Sequence, residues 1–209
     1  MRGRRVDEAQ RGQGLVEFTL ALPVILLVVL SVVELGLAFG NVNTIGYGSR
    51  EGARVGSALA TGDANDCLSG PDPSMVDATL VSAVQRILKS PGSGIDISRV
   101  EEIRIFKATP SGGEVPGTVS VWHFVGEGNG PEVDPGPGVA SIAFAPAGGS
   151  PWPACVRDNS PATPDSIGVT VRYRYEFNSP MPAVINAIAD GALSMTLSET
   201  TVMSLNPSV

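Results

Sequence analysis

Gly12, Gln13 and Glu17 are the residues whose types and spacing could support chemistry in this chain. Gly12 has no side chain, so the backbone there can lie extended and close to a protease. A cut after Gly12 would free an α-amino group at Gln13, one helical turn before the carboxylate of Glu17. An opposite charge in a low-dielectric place favours an ionised carboxylate, which predicts a pair within one chain or between neighbouring subunits. The alternative is a Glu17 that simply lies among lipid headgroups.

A membrane-spanning helix is predicted to position these residues. The stretch 15–39 is apolar or small except at four positions, Glu17, Thr19, Ser31 and Glu34. It is longer than the roughly 20 residues that a bilayer core requires. Because a charge in lipid is costly, Glu17 is expected to have a function. Pro23 removes a backbone donor, so a kink or local melting is expected near residues 19–23.

The distribution of positive charge predicts the orientation of this span. Four arginines precede it, and the first positive charge after it is Arg50. Lys and Arg mark the cytoplasmic side, so the N-terminus is expected in the cytoplasm and the remaining chain outside the cytoplasmic (inner) membrane. A conventional secretory signal is the rival interpretation. Its apolar region is roughly 7–15 residues with a cleavage site just beyond, whereas the site at 58–60 lies well past a longer run.

The N-terminal residues resemble a known family. The pattern Gly-Gln-Gly-Leu-Val-Glu-Phe-x-Leu-x-Leu-Pro begins at Gly12, and Arg-Glu-Gly-Ala-Arg follows at 50–54. Together they are similar to TadE-like pseudopilins, small membrane proteins of tight-adherence pilus systems related to type IV prepilins. The resemblance implies that a prepilin peptidase cuts between Gly12 and Gln13, and that Glu17 takes part in subunit association. It also implies other pilin-like subunits and the pilus assembly platform as partners, beside membrane lipid.

The length of the chain, 209 residues, fits one external domain behind one anchor. The predicted segments are a leader at 1–12, a transmembrane helix at 13–40, its extracytoplasmic continuation at 41–60, and an extracytoplasmic α+β domain at 61–209. A long Gly/Pro-rich loop is expected over 126–165. The leader holds four Arg, one Asp and one Glu, a charge of +2, so its removal changes the net charge from −7 to −9. An acidic exterior argues against nucleic acid as a partner.

The predicted fold is α+β, in which a long N-terminal transmembrane and spine helix packs on a small antiparallel, pilin-like sheet. Strands are expected at 100–107, 118–125, 167–177 and 193–205, of which 167–177 shows the clearest alternation. A second helix is expected to start at Ser74, with Asp77 completing a capping box, and to end before Pro91. A short helix is expected over 181–188.

Gly48, Gly52 and Gly56 form a stripe of small residues spaced by four. Such a stripe lets another backbone approach closely. It predicts a packing face for neighbouring pilin-like helices or for the protein's own sheet. The alternative is a loop, because glycine disfavours helix.

Cys67 and Cys155 are the only cysteines, and both fall on the predicted external side. An even count in an oxidising compartment predicts one disulfide between them, and the alternative is two free thiols. A metal site is not expected, since two cysteines and one histidine are too few. The sequence Asp63, Asn65 and Asp66 could bind calcium, but its spacing is incomplete and a polar loop is preferred.

Nothing in the sequence predicts catalysis or a cofactor. His123 is the only histidine, and a structural role is preferred. Four aromatic residues could form an adhesive patch, but core packing is preferred: Trp122, Trp152, Tyr173 and Tyr175. The expected function is a TadE-like minor pilin or pseudopilin in assembly of a tight-adherence, Flp-type pilus, with roles in adhesion and secretion. The alternative is a membrane-anchored binding or adhesin domain that does not polymerise, which has no need of the Gly12/Glu17 pair.

Overall fold

A computed structural model describes residues 6–59, 67, 73–133, 140–177 and 194–205 of the chain. These residues form an α+β structure with a long N-terminal apolar helix and a small antiparallel sheet. The chain divides into two compact units, Met1–Ala38 with Glu176–Ser194 and Phe39–Tyr175 with Met195–Val209. Three predicted features lie outside the described residues: the start of the leader, the candidate calcium loop at 63–66 and the short helix at 181–188.

The long helix α1 covers Val6–Ala58, and its part up to Ala38 belongs to the first unit. One helix among the described residues is long and apolar enough to cross a membrane, Gln13–Ala58, by its length and by the composition of its most apolar stretch. Only 6% of its most apolar window is buried. A core helix of a soluble protein would hide such a surface, so exposure and composition together fit a membrane anchor. The helix continues through Pro23, so the predicted local melting is not observed.

In the second unit, residues 39–58 of α1 pack with helix α2, Pro73–Leu88. The buried face of α2 repeats every three or four residues, as expected of an amphipathic helix, through Leu80, Val81, Val84 and Leu88. Ser74 lies inside α2, so the predicted capping box is wrong. Asp77 is buried and binds Arg157 instead.

The main sheet has five strands in the order β5-β2-β1-β6-β7. Their bounds are β1 Val100–Lys107, β2 Ser120–Phe124, β5 Phe144–Pro146, β6 Ser166–Glu176 and β7 Ser194–Ser204. A second sheet pairs β3, Glu132–Val133, with β4, Ala140–Ser141. The predicted loop over 126–165 therefore contains three short strands, because apolar residues such as Ile142 and Phe144 are buried within it.

The core of the second unit lies between the helices and the sheet. Ile103 on β1 faces Val171 on β6 in the register, and Ile105 faces Val169; all four side chains are buried. Gly168 is required in β6, since a Cβ there would lie 2.3 Å from the ring of Phe106. The four aromatic residues considered for an adhesive patch are buried, which confirms core packing: Trp122, Trp152, Tyr173 and Tyr175.

Candidate functional site

The structure brings Gln13 and Glu17 together on the surface of α1. The side-chain amide Nε2 of Gln13 donates a hydrogen bond to Glu17 Oε1 at 3.0 Å. Residues four apart are neighbours on a helix surface, so the contact follows directly from their spacing. The surrounding side chains of Leu15, Val16 and Phe18 are apolar and more than half exposed. Glu17 is therefore a lone carboxylate on an otherwise apolar, exposed helix surface.

The bond between Gly12 and Gln13 lies inside α1, which begins at Val6. A protease cuts an extended backbone, so cleavage at this bond would require α1 to unwind locally. Gly12 and Gly14 ease this unwinding, because each glycine costs a helix about 1 kcal/mol relative to alanine. The uncut chain thus holds the predicted scissile bond in a helix that its own sequence weakens.

The second carboxylate of the span, Glu34, has a different environment. Its side chain is only 2% exposed, and it has an interaction partner. Glu34 is thus buried within the chain, whereas Glu17 is exposed.

Outside the span, Glu51 links the two helices of the second unit. Arg54 donates to its two oxygens, from Nε at 2.9 Å and from Nη2 at 2.8 Å. Arg86 on α2 donates to Glu51 Oε1 at 3.1 Å. The hydrogen bond from Arg54, opposed by desolvation and supported by the charges of both arginines, lowers the pKa of Glu51 below its ordinary value. Within the Arg-Glu-Gly-Ala-Arg motif, Glu51 therefore joins α1 to α2 through Arg86, and Arg54 contacts the same carboxylate from within α1.

The third charged member of this motif, Arg50, faces a groove. Its guanidinium carbon lies 5.7 Å from the ring centroid of Tyr47, whose side chain is 60% exposed. The groove has a volume of about 400 Å³ and is lined by α1, the end of α2 and β7, through Tyr47, Arg50, Glu51, Arg54, Ile87, Ser90 and Met203. Sequence reasoning missed it because these elements are distant along the chain. An exposed cation beside apolar side chains is suited to contact with a protein partner.

The predicted glycine stripe packs inside its own chain. A Cβ at Gly52 would lie 2.6 Å from Val84 Cγ2 on α2 and 3.3 Å from Val169 Cγ1 on β6. A Cβ at Gly56 would lie 2.6 Å from a methyl carbon of Ile167 on β6. Of the alternatives for this stripe, the structure therefore shows helix rather than loop, with its face against the protein's own α2 and sheet.

Cys67 and Cys155 are joined by a disulfide, with their Cα atoms 5.4 Å apart. Two residues beyond Cys155, the fully buried Arg157 donates from Nη2 to Asp77 Oδ1. Its guanidinium carbon also lies 4.8 Å from the ring centroid of Trp152. The disulfide and the buried ion pair thus both fix the segment around residue 155. Sequence reasoning missed the ion pair because its members are 80 residues apart.

The described residues include no group of three or more His, Cys, Asp or Glu side chains that could hold a metal ion. His123 lies on β2, where its Nδ1 is 3.0 Å from the carbonyl oxygen of Glu101. The hydrogen bond joins this side chain to the neighbouring strand β1.

A long, exposed apolar helix and a small α+β unit with an antiparallel sheet are consistent with a single-pass α+β membrane protein. Residues 12–54 match the family model described as TadE-like protein. The match includes Gly12, Gln13, Glu17 and the arginine motif, and it confirms the TadE-like resemblance of this segment. It supports a protein related to the Tad pilus. No curated protein and no solved structure matches the chain.

Proposed function

We propose that the chain is a minor pilin or pseudopilin that acts in the assembly of a tight-adherence, Flp-type pilus. In this proposal a prepilin peptidase removes residues 1–12 and leaves Gln13 as the first residue of the mature protein. The observation that carries the proposal is the TadE-like match at residues 12–54, which begins at the predicted cleavage bond and includes Glu17. The proposed role is structural, and it requires no catalytic group or cofactor.

The exposed position of Glu17 supports a role in subunit association. Its neighbours on α1 are apolar and exposed, so in a bilayer this carboxylate faces lipid unless another molecule covers it. An uncompensated charge in lipid is costly. A neighbouring mature subunit supplies the opposite charge, the α-amino group of its Gln13, and the pair offsets part of the burial cost. Association therefore relieves a cost that the isolated subunit bears.

The proposed location is the cytoplasmic membrane, with the N-terminus in the cytoplasm and the α+β unit outside, or the pilus itself. The arginines before the span favour this orientation. The disulfide between Cys67 and Cys155 fits an oxidising compartment. The proposed partners are the prepilin peptidase, other pilin-like subunits and the pilus assembly platform.

Association of Glu17 variants tests this role. We expect Glu17→Gln to retain membrane insertion and cleavage but to weaken co-purification with other pilin-like subunits about tenfold or more, because a charge-assisted hydrogen bond is lost. Thr19→Val is the matched control, since Thr19 is exposed on the same helix. Among the described residues, its hydroxyl donates only to the backbone carbonyl oxygen of Leu15. If Glu17→Gln associates as well as the parent, the proposed role of Glu17 is wrong.

Glu34→Gln tests whether the outer carboxylate is the important one instead. Because Glu34 is buried within the chain, its substitution is expected to affect the stability of the subunit before it affects association. The assigned roles would be reversed by two results together. Glu34→Gln would be as stable as the parent but fail to associate, and Glu17→Gln would associate normally.

A membrane-anchored binding domain that does not polymerise is the second candidate, and the groove beside Tyr47 and Arg50 favours it. The two functions differ in their need for cleavage. A Gly12→Val chain that keeps its leader loses pilus assembly in the first case and keeps its function as an anchored binding domain in the second.

A further inference from the structure

The first residue of the proposed mature chain is Gln13, and an N-terminal glutamine can cyclise. When glutamine is N-terminal, its α-amine nitrogen can attack Cδ of its own side-chain amide. A new N–Cδ bond forms and the Cδ–Nε2 bond breaks, while one proton passes from the α-amine to the leaving nitrogen, which departs as ammonia. The product is a five-membered lactam, pyroglutamate, which carries no positive charge. Cyclisation of Gln13 would therefore remove the charge that is proposed to pair with Glu17.

We propose that Glu17 protects Gln13 from this cyclisation and thereby keeps the mature N-terminus charged. The inference rests on the proposed processing between Gly12 and Gln13. It assigns to Glu17 a role within its own subunit, in addition to the proposed contact between subunits.

The geometry of the side chains supports protection. Glu17 Oε1 accepts the hydrogen bond from Gln13 Nε2 at 3.0 Å, so the amide of Gln13 is held against a side chain that starts four residues further along α1. The backbone nitrogen of Gln13 lies at the other end of this residue, towards the N-terminus of the helix. Ring closure requires the amide carbon to fold back onto that nitrogen. The hydrogen bond to Glu17 must therefore break before the ring can form.

The charge of Glu17 acts in the same direction. A nearby carboxylate favours the protonated form of the α-amine. A protonated ammonium nitrogen has no lone pair and cannot attack the amide. The carboxylate of Glu17 thus restrains the side-chain amide of Gln13 by a hydrogen bond and the α-amine of Gln13 by its charge.

The expected magnitude follows from the hydrogen bond alone. A hydrogen bond to a charged group contributes enough to change an equilibrium by about tenfold to a hundredfold. Glu17→Ala removes both the acceptor and the charge, so we expect cyclisation of Gln13 to be at least about tenfold faster. Glu17→Gln keeps an acceptor but removes the charge, so its rate should fall between those of the parent and Glu17→Ala.

The test uses the full mature chain, made without the prepilin peptidase. The leader is replaced by a removable segment whose specific protease cuts directly before Gln13, and the purified protein is cut after insertion into phospholipid vesicles. The loss of ammonia from the N-terminal peptide is then followed over time by mass spectrometry. Gln13→Ala, which cannot cyclise, identifies the mass change that belongs to Gln13, and Thr19→Val controls for the replacement of another exposed polar residue on the same helix.

The proposal predicts that the parent chain keeps its N-terminal glutamine, while the rate of ammonia loss in Glu17→Ala is at least about tenfold higher. Equal rates in the two chains, a faster parent, or the absence of cyclisation in every variant would overturn it. A failure of the proposed processing is distinguishable, because it shows as a retained leader on the protein from its own host and leaves the vesicle measurement unaffected.

Discussion

Gly52→Ala should destabilise the second unit although alanine is the better helix former. The added Cβ lies 2.6 Å from Val84 Cγ2 and 3.3 Å from both Leu80 Cδ2 and Val169 Cγ1. Valine is stiff at χ1, so Val84 cannot turn away without strain. Val169 limits movement on the side of the sheet, because it belongs to β6, which has a neighbouring strand on each side. The methyl group therefore meets α2 and the sheet together.

The expected change is a difference between two terms. Overpacking of a well-packed core costs about 1–3 kcal/mol, and replacing glycine by alanine in a helix contributes about 1 kcal/mol in return. We expect Gly52→Ala to lose about 1 kcal/mol in the free energy of unfolding. At Gly48 the nearest atom to an added Cβ is Leu88 Cδ2 at 3.4 Å, an ordinary contact. Gly48→Ala should therefore gain up to about 1 kcal/mol, a contrast of about 2 kcal/mol.

Urea unfolding of the mature chain in a mild detergent measures this contrast. Trp122 and Trp152 are both buried in the second unit, so their fluorescence reports its unfolding. A difference of about 2 kcal/mol corresponds to about 4–8 °C in Tm for a chain of this size. Equal stabilities for Gly48→Ala and Gly52→Ala would refute the packing argument. An effect of Gly52→Ala only on association, with normal subunit stability, would instead assign the stripe to contacts between subunits.

Three further predictions concern the second unit. Arg157→Met should lower the free energy of unfolding by about 3–5 kcal/mol, because it leaves Asp77 buried without its charge partner. In the same urea measurement, the double variant Arg157→Met with Asp77→Leu should recover part of that loss. Replacing both Cys67 and Cys155 by serine should cost about 2–4 kcal/mol, and non-reducing peptide mapping of the native protein that finds two free thiols would count against the bridge. Because the pKa of Glu51 is lowered from 4.5, its stabilising effect is present above pH 4.5 and is lost as the pH falls through the lowered value. Glu51→Gln should therefore reduce the fall of Tm at acid pH. A fall of Tm that is the same in the parent and in Glu51→Gln would contradict this role of Glu51.

Much of the fold follows from local patterns in the sequence. The strand expected at 100–107 is found with those bounds, and the alternation at 167–177 gives β6 at Ser166–Glu176. These strands are long enough for period-2 burial to appear in the sequence. The strands β3, β4 and β5 have only two or three residues each and lie in Gly/Pro-rich sequence. Their pairing depends on tertiary contacts, which no local pattern shows.

The same distinction applies to the candidate site. The sequence placed Gln13 one helical turn from Glu17 and predicted a pair with its α-amino group; the structure shows a hydrogen bond from the side-chain amide of Gln13, and the predicted pair stays a prediction. Asp77 fits a local capping pattern, but its partner Arg157 lies far along the chain, so sequence reasoning assigned it the wrong role. The groove beside Tyr47 is assembled from three separate elements and carries no sequence signal of its own.

The N-terminal mass of the protein isolated from the membranes of its own host tests the central proposal most directly. The proposal predicts a chain that begins at Gln13, and a chain that still carries its leader when Gly12 is replaced by valine, because a β-branched residue hinders the extended backbone that cleavage requires. A parent chain that retains Met1 or Arg2, with the prepilin peptidase present, would contradict the proposed processing and with it the assignment as a processed pilin-like subunit.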